Sequence, residues 1–313
     1  MTSSTAPISV VIPTYNRRDS VLRLLADVHR QEGADFEVIV VDDRSPDGTA
    51  AAIAREYPHV KILVNSVNGG PSVSRNRGIR EASGEFIIGL DSDVTLGDTA
   101  LFRRVAATLA RCPDATMLAL RVMAPDGSSD DAKRWCHPFP IDPFADMWVW
   151  TDYFSGTGYA GRRAAMMRAG LFPEIVFMDY EEVELSYRIL DDGGAILHCP
   201  HLKVLHHAGS TAQHSRVRTY YHPRNQILLA AGIFPPAEAI TYLVPRTSYQ
   251  FLVAVRGHQL RVFCSALRDA FILLPARMKE RRPLRADTLR RIRALHIRPV
   301  VAVAPDGESE PSC

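Results

Sequence analysis

The chain has 313 residues and a net charge of +2, and its 46% hydrophobic and 23% charged residues are the composition of an ordinary soluble globular protein. The length suits one large domain with an appendage or two smaller domains, and the charge argues neither for nor against a polyanionic partner. Five scattered cysteines without a Cys-x-x-Cys pair argue against a disulfide framework. The sequence contains no run of about eighteen uncharged apolar residues, which a membrane-spanning helix needs.

From residue 8 the chain alternates between predicted strands and predicted helices. The strands are apolar runs at residues 8–13, 36–41, 60–64 and 86–90. The first helix carries an apolar stripe at spacing 0, 3, 4, 7, formed by Val21, Leu24, Leu25 and Val28. This alternation predicts a parallel sheet with right-handed crossovers.

Residues typical of helix ends set the next boundaries. Ser45 followed by Pro46 predicts an N-cap with proline at the first helical position, so a second helix is expected from there to about Tyr57. A third helix follows residues 68–71 and is expected to stop at Gly84, which would be its C′ glycine.

The second half of the chain is less regular. A helix is predicted at residues 100–111, a strand at 116–122, and an excursion or lid at 124–145, which is rich in Pro, Gly, Ser and Asp. A helix at 179–190 could pair Glu184 with Arg188 at i, i+4. Further predictions are short strands at 195–197 and 203–205, helix from Val217 onward, and a disordered last dozen residues.

The fourth strand ends in two acids, Asp91 and Asp93. Because side chains alternate along an extended backbone, both carboxylates leave the strand's C-terminal end on one side, where open α/β sheets bind ligands. Two carboxylates this close repel unless a cation lies between them, and Mg²⁺ or Mn²⁺ takes one or two protein carboxylates. The pair therefore predicts a metal site, with a solvated acidic turn as the alternative.

Three polar clusters follow strands along one predicted edge: Thr14-Tyr15-Asn16, Asp42-Asp43 and Asp91-Ser92-Asp93. With Ser-Arg-Asn-Arg-Gly-Ile-Arg-Glu-Ala-Ser-Gly-Glu at residues 74–85, they occur in the order and spacing of the family 2 glycosyltransferases of the GT-A fold. The chain resembles that family from residue 8 to about 226. The resemblance implies an α/β, nucleotide-diphospho-sugar transferase fold with a mostly parallel central sheet flanked by helices.

The resemblance also implies a domain division. Residues 1–232 would be the catalytic domain, with a nucleotide-binding half at 8–98 and an acceptor half at 99–232. Residues 233–300 would be a helical, basic C-terminal extension, and 301–313 a disordered tail.

A nucleotide site at the first strand ends follows from the resemblance. Pro13, Thr14 and Tyr15 would lie at the nucleobase, where Tyr15 offers a stacking face worth ~1–3 kcal/mol. Asp43 matches the family's acid that accepts from a pyrimidine N3–H, which favours a UDP or dTDP sugar. Without this site, Tyr15 would be a core residue.

The diphosphate and the metal occupy the next positions of the motif. Arg75 matches the arginine near the diphosphate, with Ser74 in place of the family's alanine; its alternative is a surface helix residue. Asp91 resembles the acid near the ribose and metal, and Asp93 the direct ligand of Mn²⁺ or Mg²⁺.

The helix start at residues 177–188 resembles the family's Glu-Asp motif, in which the second acid is the catalytic base. That role falls on Glu182, although glutamate stands where aspartate is usual and moves the carboxyl by roughly one C–C bond. The alternative is a run of acids that only stabilises the helix dipole.

Six histidines crowd the next segment: His198, His201, His206, His207, His214 and His222. They could indicate a zinc site with Cys199, but their spacing fits no closed tetrahedral pattern. Family members often carry a histidine here that completes the metal shell, for which we choose His207, with His206 as the alternative. Residues 220–225 resemble a helix of rhamnosyltransferase-like members.

Residues 156–161 form a literal Gly-x-Gly-x-x-Gly, the dinucleotide fingerprint. The motif does not follow a clear strand of a βαβ unit, so we expect a substrate-facing loop instead. Trp148 and Trp150 precede it as sugar platforms or as core residues.

The resemblance thus implies a metal-dependent, inverting transfer of a sugar from a nucleoside-diphosphate sugar to an acceptor hydroxyl, in polysaccharide, glycolipid or natural-product glycosylation. The acceptor would be a sugar, a lipid-linked or a small molecule, and no nucleic acid is expected. The alternatives are a transferase with a non-hydroxyl acceptor and a catalytically degenerate nucleotide-sugar-binding protein, since the base is substituted.

Two observations bear on localisation. Residues 1–7 lack the basic and apolar regions of a signal peptide, so we expect a cytoplasmic protein. Between Arg256 and Arg298, however, twelve Lys or Arg face three acids and alternate with apolar residues. A basic amphipathic segment binds anionic lipid surfaces, so residues 256–298 are expected either to contact a membrane or to pack on the catalytic domain.

Overall fold

A computed structural model describes residues 7–207 and 211–302, with the backbone alone for 211–215. Its strands are β1 (Ile8–Thr14), β2 (Phe36–Asp42), β3 (Lys61–Val64), β4 (Phe86–Leu90), β5 (Val94–Thr95), β6 (Met117–Met123), β7 (Val149–Thr151), β8 (Gly158–Arg162), β9 (Ile196–His206) and β10 (Val300–Val301). Its helices are α1 (Arg18–His29), α2 (Thr49–Glu56), α3 (Gly70–Glu81), α4 (Leu101–Arg111), α5 (Ile141–Phe144), α6 (Arg163–Ala169), α7 (Glu181–Asp191), α8 (Thr211–Ile233), α9 (Pro236–Arg256), α10 (Leu260–Lys279) and α11 (Ala286–Ile297).

The strands form one sheet in the order β10-β7-β9-β6-β8-β4-β1-β2-β3, with β5 paired to β9. The first four strands, β1 to β4, are connected by helices and are parallel to one another as predicted. β8 enters between β4 and β6 and is antiparallel to both, so the second half of the sheet is mixed. The carboxyl ends of β1, β2 and β4 therefore meet at one edge, as the motifs require.

Alternating residues of the strands face two apolar layers. On one side Val10 and its neighbours pack against α1, α2 and α4, and the predicted stripe of α1 is fully buried there. On the other side Val11 and its neighbours pack against α3, α6, α7, α8 and α11. Each face of the sheet is covered, which explains why its central strands are continuous apolar runs.

Two predicted helix boundaries are wrong. α2 begins at Thr49 rather than Ser45, because the Asp47 carboxylate accepts from the Thr49 N–H at 3.1 Å, while the Ser45 hydroxyl accepts from the Asn16 N–H at 2.9 Å. α3 ends at Glu81, and Gly84 is not its left-handed cap. An added Cβ at Gly84 would lie 2.8 Å from the Ile8 and Ser9 backbones, so this glycine permits a close approach of β1.

Two short strands predicted at 195–197 and 203–205 are one strand, β9. Its pairing with β6 shifts register between Leu120 and Arg121, which face Cys199 and Lys203. This irregularity falls between the two predicted pieces, and it explains why the sequence pattern breaks there.

The C-terminal extension packs on the sheet layers and does not stand apart from them. Leu284 and Ile292 belong to the same buried cluster as the α7 residues Leu185 and Ile189. Val301, expected in a disordered tail, pairs with Val149 of β7, and residues 303–313 of that predicted tail lie outside the described residues. The buried core therefore includes residues from both sides of the proposed boundary near residue 232.

Candidate active site

Arg75, on α3, connects the two halves of the candidate site. Its guanidinium is almost fully buried; Nη2 donates to Asp91 Oδ1 at 2.8 Å and Nη1 to Glu181 Oε1 at 2.8 Å. Glu182 Oε1 lies 3.9 Å from the same Nη1. The structure thus brings three predicted residues together, and Arg75 is not the surface residue considered as its alternative.

Burial and charge set the protonation of this cluster. Burial alone would lower the pKa of Arg75, but the carboxylates of Asp91 and Glu181 hold it above its ordinary value. Burial and the charge of Glu182 raise the pKa of Glu181 well above its ordinary value, against the opposing effect of Arg75.

Glu182 is the acid at the start of α7 that remains partly accessible. Its Oε1 accepts a hydrogen bond from the Gly156 N–H at 3.1 Å, and its side chain is 19% exposed. Glu181 and Glu184 are buried and bonded to arginines. Glu182 is therefore the acid in this turn with room for a substrate hydroxyl.

The Gly-x-Gly-x-x-Gly motif serves this site through its first glycine. A Cβ at Gly156 would lie 2.3 Å from Glu182 Oε1 and 2.5 Å from Arg75 Nη2, so a side chain there would displace the ends of both. Residues 158–161 belong to β8 instead of the expected loop, and a Cβ at Gly161 would lie 2.1 Å from Met117 Sδ. These glycines allow neighbouring side chains to approach the backbone closely, a role that the sequence motif did not indicate.

The segment before α7 is held in an unusual conformation. Phe177, Asp179 and Tyr180 have φ values of 65°, 64° and 74°. Such conformations cost of order 1–3 kcal/mol each unless the surroundings stabilise them. The Asn225 side-chain amide donates to three carbonyls of residues 176–179 at 2.5 to 3.0 Å, and Arg224 Nη1 donates to one of them at 3.0 Å. The helix at 220–225 therefore positions the acids of α7.

A second cluster surrounds Asp93. Arg17 pairs with Asp93, and His206 Nε2 lies 3.6 Å from Asp93 Oδ2. Burial would raise the pKa of Asp93, but the hydrogen bond to His206 and the charges of Arg17 and His206 lower it to about 2. His206 also bonds Asp131 through Nδ1 at 2.8 Å, and these two acids raise its pKa despite burial.

The geometry favours His206 over His207 beside Asp93. His207 Nε2 bonds the Thr95 hydroxyl at 2.9 Å, and the His207 contact with Asp93 is a backbone bond of 2.8 Å. His206 is the last residue of β9 and His207 follows it, and of these two imidazoles it is that of His206 that lies beside the Asp93 carboxylate. His207 was chosen from the sequence by its position after the strand, which gives no information on the direction of its side chain.

Two of the remaining histidines, His198 and His222, contact groups other than Asp93. His198 is buried with Nε2 3.2 Å from the Ala145 carbonyl, and His222 Nε2 lies 3.8 Å from Asp179. The His214 side chain lies outside the described residues. Within residues 7–207 and 216–302, no group of three His, Cys, Asp or Glu is arranged to hold a metal ion.

The donor chemistry nonetheless fits a hard divalent ion. Mg²⁺ needs only one or two protein ligands, because water and substrate phosphates supply the others. Asp93 offers an oxygen and His206 a nitrogen, and Asp91 lies two residues before Asp93. Arg17, to which the sequence pattern assigned no role, pairs with Asp93.

The predicted nucleobase residues line the end of β1. Pro13 and Thr14 are buried, and Tyr15 is 46% exposed, so Tyr15 is not a core residue. Both Asp43 oxygens are engaged: Oδ1 accepts from Asn65 Nδ2 and the Gly69 N–H at 2.7 and 3.0 Å, and Oδ2 accepts from the Gly70 N–H at 2.7 Å. A carboxylate accepts at about four sites, so Asp43 keeps capacity for one more donor.

The two tryptophans before the glycine motif are core residues and not exposed platforms. Trp148 is buried in the first apolar cluster, and Trp150 packs against it. Ser74, the departure from the family's alanine, accepts from Asn65 Nδ2 at 3.0 Å. This bond ties α3 to the loop that Asp43 holds.

Comparison with known proteins places the chain among sugar transferases. A sequence profile described as "Glycosyl transferase family 2" matches residues 9–171, just over half of the chain. Succinoglycan biosynthesis protein ExoO of Rhizobium meliloti is 36% identical over 123 residues, which are 39% of this chain and 35% of the relative. Poly(ribitol-phosphate) beta-glucosyltransferase of Bacillus spizizenii is 38% identical over 102 residues, 31% of this chain and 16% of the relative. The chain matches well under half of each relative's length.

Solved structures match over a greater length. Mannosyltransferase PcManGT from Pyrobaculum calidifontis, in complex with GDP-Man and Mn²⁺, gives a TM-score of 0.56 at 19% identity and covers 94% of this chain and 86% of that one. S. aureus TarS 1-349 in complex with UDP-GlcNAc gives 0.59 at 19% identity, with 93% and 90% covered. At this identity the likeness shows the fold alone.

Proposed function

The chain belongs to glycosyl transferase family 2 and has the GT-A fold, and from that premise we propose that it transfers a sugar from a nucleoside-diphosphate sugar to an acceptor hydroxyl. The observation that carries the proposal is the Arg75 cluster, in which Asp91 on the donor side and Glu182 on the acceptor side lie around one buried cation. Two solved structures of this fold contain a nucleotide sugar, which supports the donor class.

In the proposed reaction Glu182 takes the proton of the acceptor hydroxyl as that oxygen attacks the anomeric carbon from the side opposite the diphosphate, with inversion. The Gly156 N–H orients the carboxylate. Arg75 and Arg17 supply positive charge toward the departing diphosphate, which is the stabilisation such a transfer needs. A divalent ion held by Asp93 and His206 would supply further neutralisation of the leaving group.

The experiment that tests the proposal measures release of nucleoside diphosphate. A panel of nucleoside diphosphates and their sugars, with and without Mn²⁺, is first compared by thermal shift, since a ligand at about a hundredfold excess over Kd stabilises by ~2.7 kcal/mol. Acceptors are then added with the donor that binds. Acceptor-dependent release of the diphosphate supports the transferase.

A second candidate is a nucleotide-sugar-binding protein without turnover. It is favoured by one observation, the glutamate in place of the family's usual aspartate at position 182. Such a protein would bind the donor and release no diphosphate with any acceptor, while Glu182→Asp would restore turnover.

We propose a uridine or thymidine nucleotide as the donor, on the strength of Asp43. Asp43→Asn is expected to weaken pyrimidine nucleotides by ~1.5–3 kcal/mol, the value of a hydrogen bond to a charged group. Isothermal calorimetry with UDP and GDP measures the difference. Equal weakening of both would mean that Asp43 only holds the loop through its bonds to Gly69 and Gly70.

Asp93→Ala is expected to abolish the Mn²⁺-dependent part of nucleotide affinity, because an ion bound through one or two protein ligands cannot spare one. Calorimetry with the nucleotide, in Mn²⁺ and in EDTA, gives that part directly. Asp131→Ala is the matched control, since it removes the other acid on His206 and leaves Asp93 in place. Unchanged Mn²⁺ dependence in Asp93→Ala would place the ion elsewhere.

The acceptor and the location are proposed more broadly. The acceptor is a sugar, a lipid-linked or a small-molecule hydroxyl, and the reaction belongs to polysaccharide, glycolipid or natural-product glycosylation in the cytoplasm. In this division residues 8–98 bind the nucleotide, 99–232 hold the acceptor, and the extension from 233 supports them.

A further inference from the structure

α9 and α10 expose more large apolar side chains than any other pair of helices described. On α9 the exposed residues Ile240, Val244, Phe251 and Val255 follow a helical spacing and fall on one face. On α10 the outer face carries Leu260, Phe271, Ile272 and Met278, and Phe271 and Ile272 are 63% and 66% exposed. The opposite face of α10 is buried through Phe263, Ala266 and Ala270.

The same outer face of α10 carries basic side chains. Arg261, Arg268 and Lys279 lie within about a third of a helical turn of the apolar residues and are exposed. Arg261 and Lys279 have no ion-pair partner among the described residues. The one acid within α10, Asp269, accepts from the Tyr220 hydroxyl at 2.6 Å and pairs with Arg268 at 2.9 Å, so Arg261 and Lys279 are the cations of this face that no described acid offsets.

α11, the other basic helix of the extension, is arranged differently. Its Arg290 and Arg293 pair with Asp287 and Glu238, and Arg291 bonds the carbonyls of Leu190 and Gly194. Its apolar residue Ile292 is buried, whereas Ile297 at its last position is 81% exposed. Within the basic segment 256–298, the structure therefore separates a helix occupied by internal contacts from one that faces outward with apolar and cationic groups together.

We propose that the outer face of α10 binds the surface of an anionic lipid bilayer. The helix lies in the plane of the headgroups, with Phe271 and Ile272 entering the acyl boundary and the three cations at the lipid phosphates. Among the described residues no helix is both long and apolar enough to cross a membrane, so the contact is peripheral. This inference does not depend on the transfer reaction.

The charge of the face selects this occupant over a second copy of the chain. In a two-fold dimer the same patch meets itself, which would bring Arg261, Arg268 and Lys279 of both copies into one interface. Like charges placed together in an interface are unfavourable, and no described acid of this face offsets Arg261 or Lys279. An anionic lipid surface complements the charge and accepts the apolar side chains as well.

The test is co-sedimentation of the full chain with vesicles of phosphatidylcholine alone and of equal parts phosphatidylcholine and phosphatidylglycerol. We expect binding to the anionic vesicles, weak binding to the neutral ones, and weakening by salt. Each basic residue near such a surface strengthens binding about fivefold. Arg261→Gln, Arg268→Gln and Lys279→Gln together should therefore weaken it about a hundredfold.

Two further variants test whether the outer face of α10 is the lipid-binding surface. Phe271→Ser with Ile272→Ser should also lose binding, although the net charge is unchanged. The matched control replaces three exposed arginines on other helices, Arg23, Arg55 and Arg168, by Gln and should bind like the wild type. Equal loss in the control, or no binding of the wild type at low salt, would overturn the proposal. So would a wild-type dimer in sedimentation velocity that Phe271→Ser and Ile272→Ser dissociate without affecting vesicle binding.

Discussion

Glu182→Gln should lower the turnover number by about 10²–10⁴ while donor affinity stays the same, since glutamine keeps the size and the bond to the Gly156 N–H but has no basicity. A glutamate that served only the helix dipole would instead cost ~0.3–1 kcal/mol of stability and leave turnover of the folded protein nearly intact. Single-turnover kinetics with saturating donor separates chemistry from binding.

Substitutions of the other acids of α7 are expected to change the kinetics differently from Glu182→Gln. Glu181→Gln alters the hydrogen bond to Arg75 at 2.8 Å, so it should raise KM for the donor more than it lowers kcat. Glu182→Asp draws the carboxylate back from Gly156 and should retain part of the activity if the pocket tolerates the shorter side chain. If Glu181→Gln is inactive at saturating donor and Glu182→Gln turns over normally, the base is Glu181.

Arg277→Ala should destabilise the protein by about 3–5 kcal/mol, the usual cost of removing one partner of a buried ion pair. Arg277 is fully buried; its Nη2 donates to Glu184 Oε2 at 2.6 Å and its Nε to the Leu228 carbonyl at 2.9 Å. A Cβ at Gly232 would lie 1.7 Å from Nη2, so the packing of this side chain requires glycine there. The change removes the bridge from α10 to the helix that carries Glu182.

Urea unfolding measures this effect, with Arg268→Ala as the matched control. Arg268 lies on the same helix but is exposed, so its loss should change the free energy of unfolding by less than ~0.5 kcal/mol. Replacing both partners, with Glu184→Leu and Arg277→Met, should recover part of the stability, because a packed apolar pair avoids the desolvation penalty but leaves Arg188 without its Glu184 partner. An Arg277→Ala protein as stable as the control would show that the extension is not anchored through this residue.

Local patterns in the first hundred residues were enough to predict most of the donor half. The apolar runs of β1, β2 and β4, the stripe of α1 and the acids after the strands depend on side-chain alternation and helical spacing, which the chain carries in its own order. Helix ends were predicted less well: the start of α2 depends on which of several turn residues accepts the free N–H groups, and Asp47 does so instead of Ser45.

The candidate site was predicted residue by residue but not as a cluster. Arg75, Asp91 and Glu182 each matched a motif, yet their contact requires α3, β4 and α7, which are about a hundred residues apart at the extremes, to meet. Glu181 and Gly156 received no role because a buried hydrogen bond and a missing Cβ leave no local signal. The preference for His207 as a metal ligand remains a prediction, although it is His206 that lies beside the Asp93 carboxylate, at the end of β9 where that strand pairs with β5.

By itself the sequence determined the parallel arrangement of the first four strands and the edge where their polar residues gather, because both depend on short-range spacing. Only the tertiary structure decided that β8 inserts antiparallel, that Arg277 ties α10 to α7, and that α10 faces outward while α11 packs inward. α10 and α11 both combine basic with apolar residues, but their burial differs because it depends on which neighbouring elements cover them. Contacts between distant segments leave no periodic pattern in the sequence.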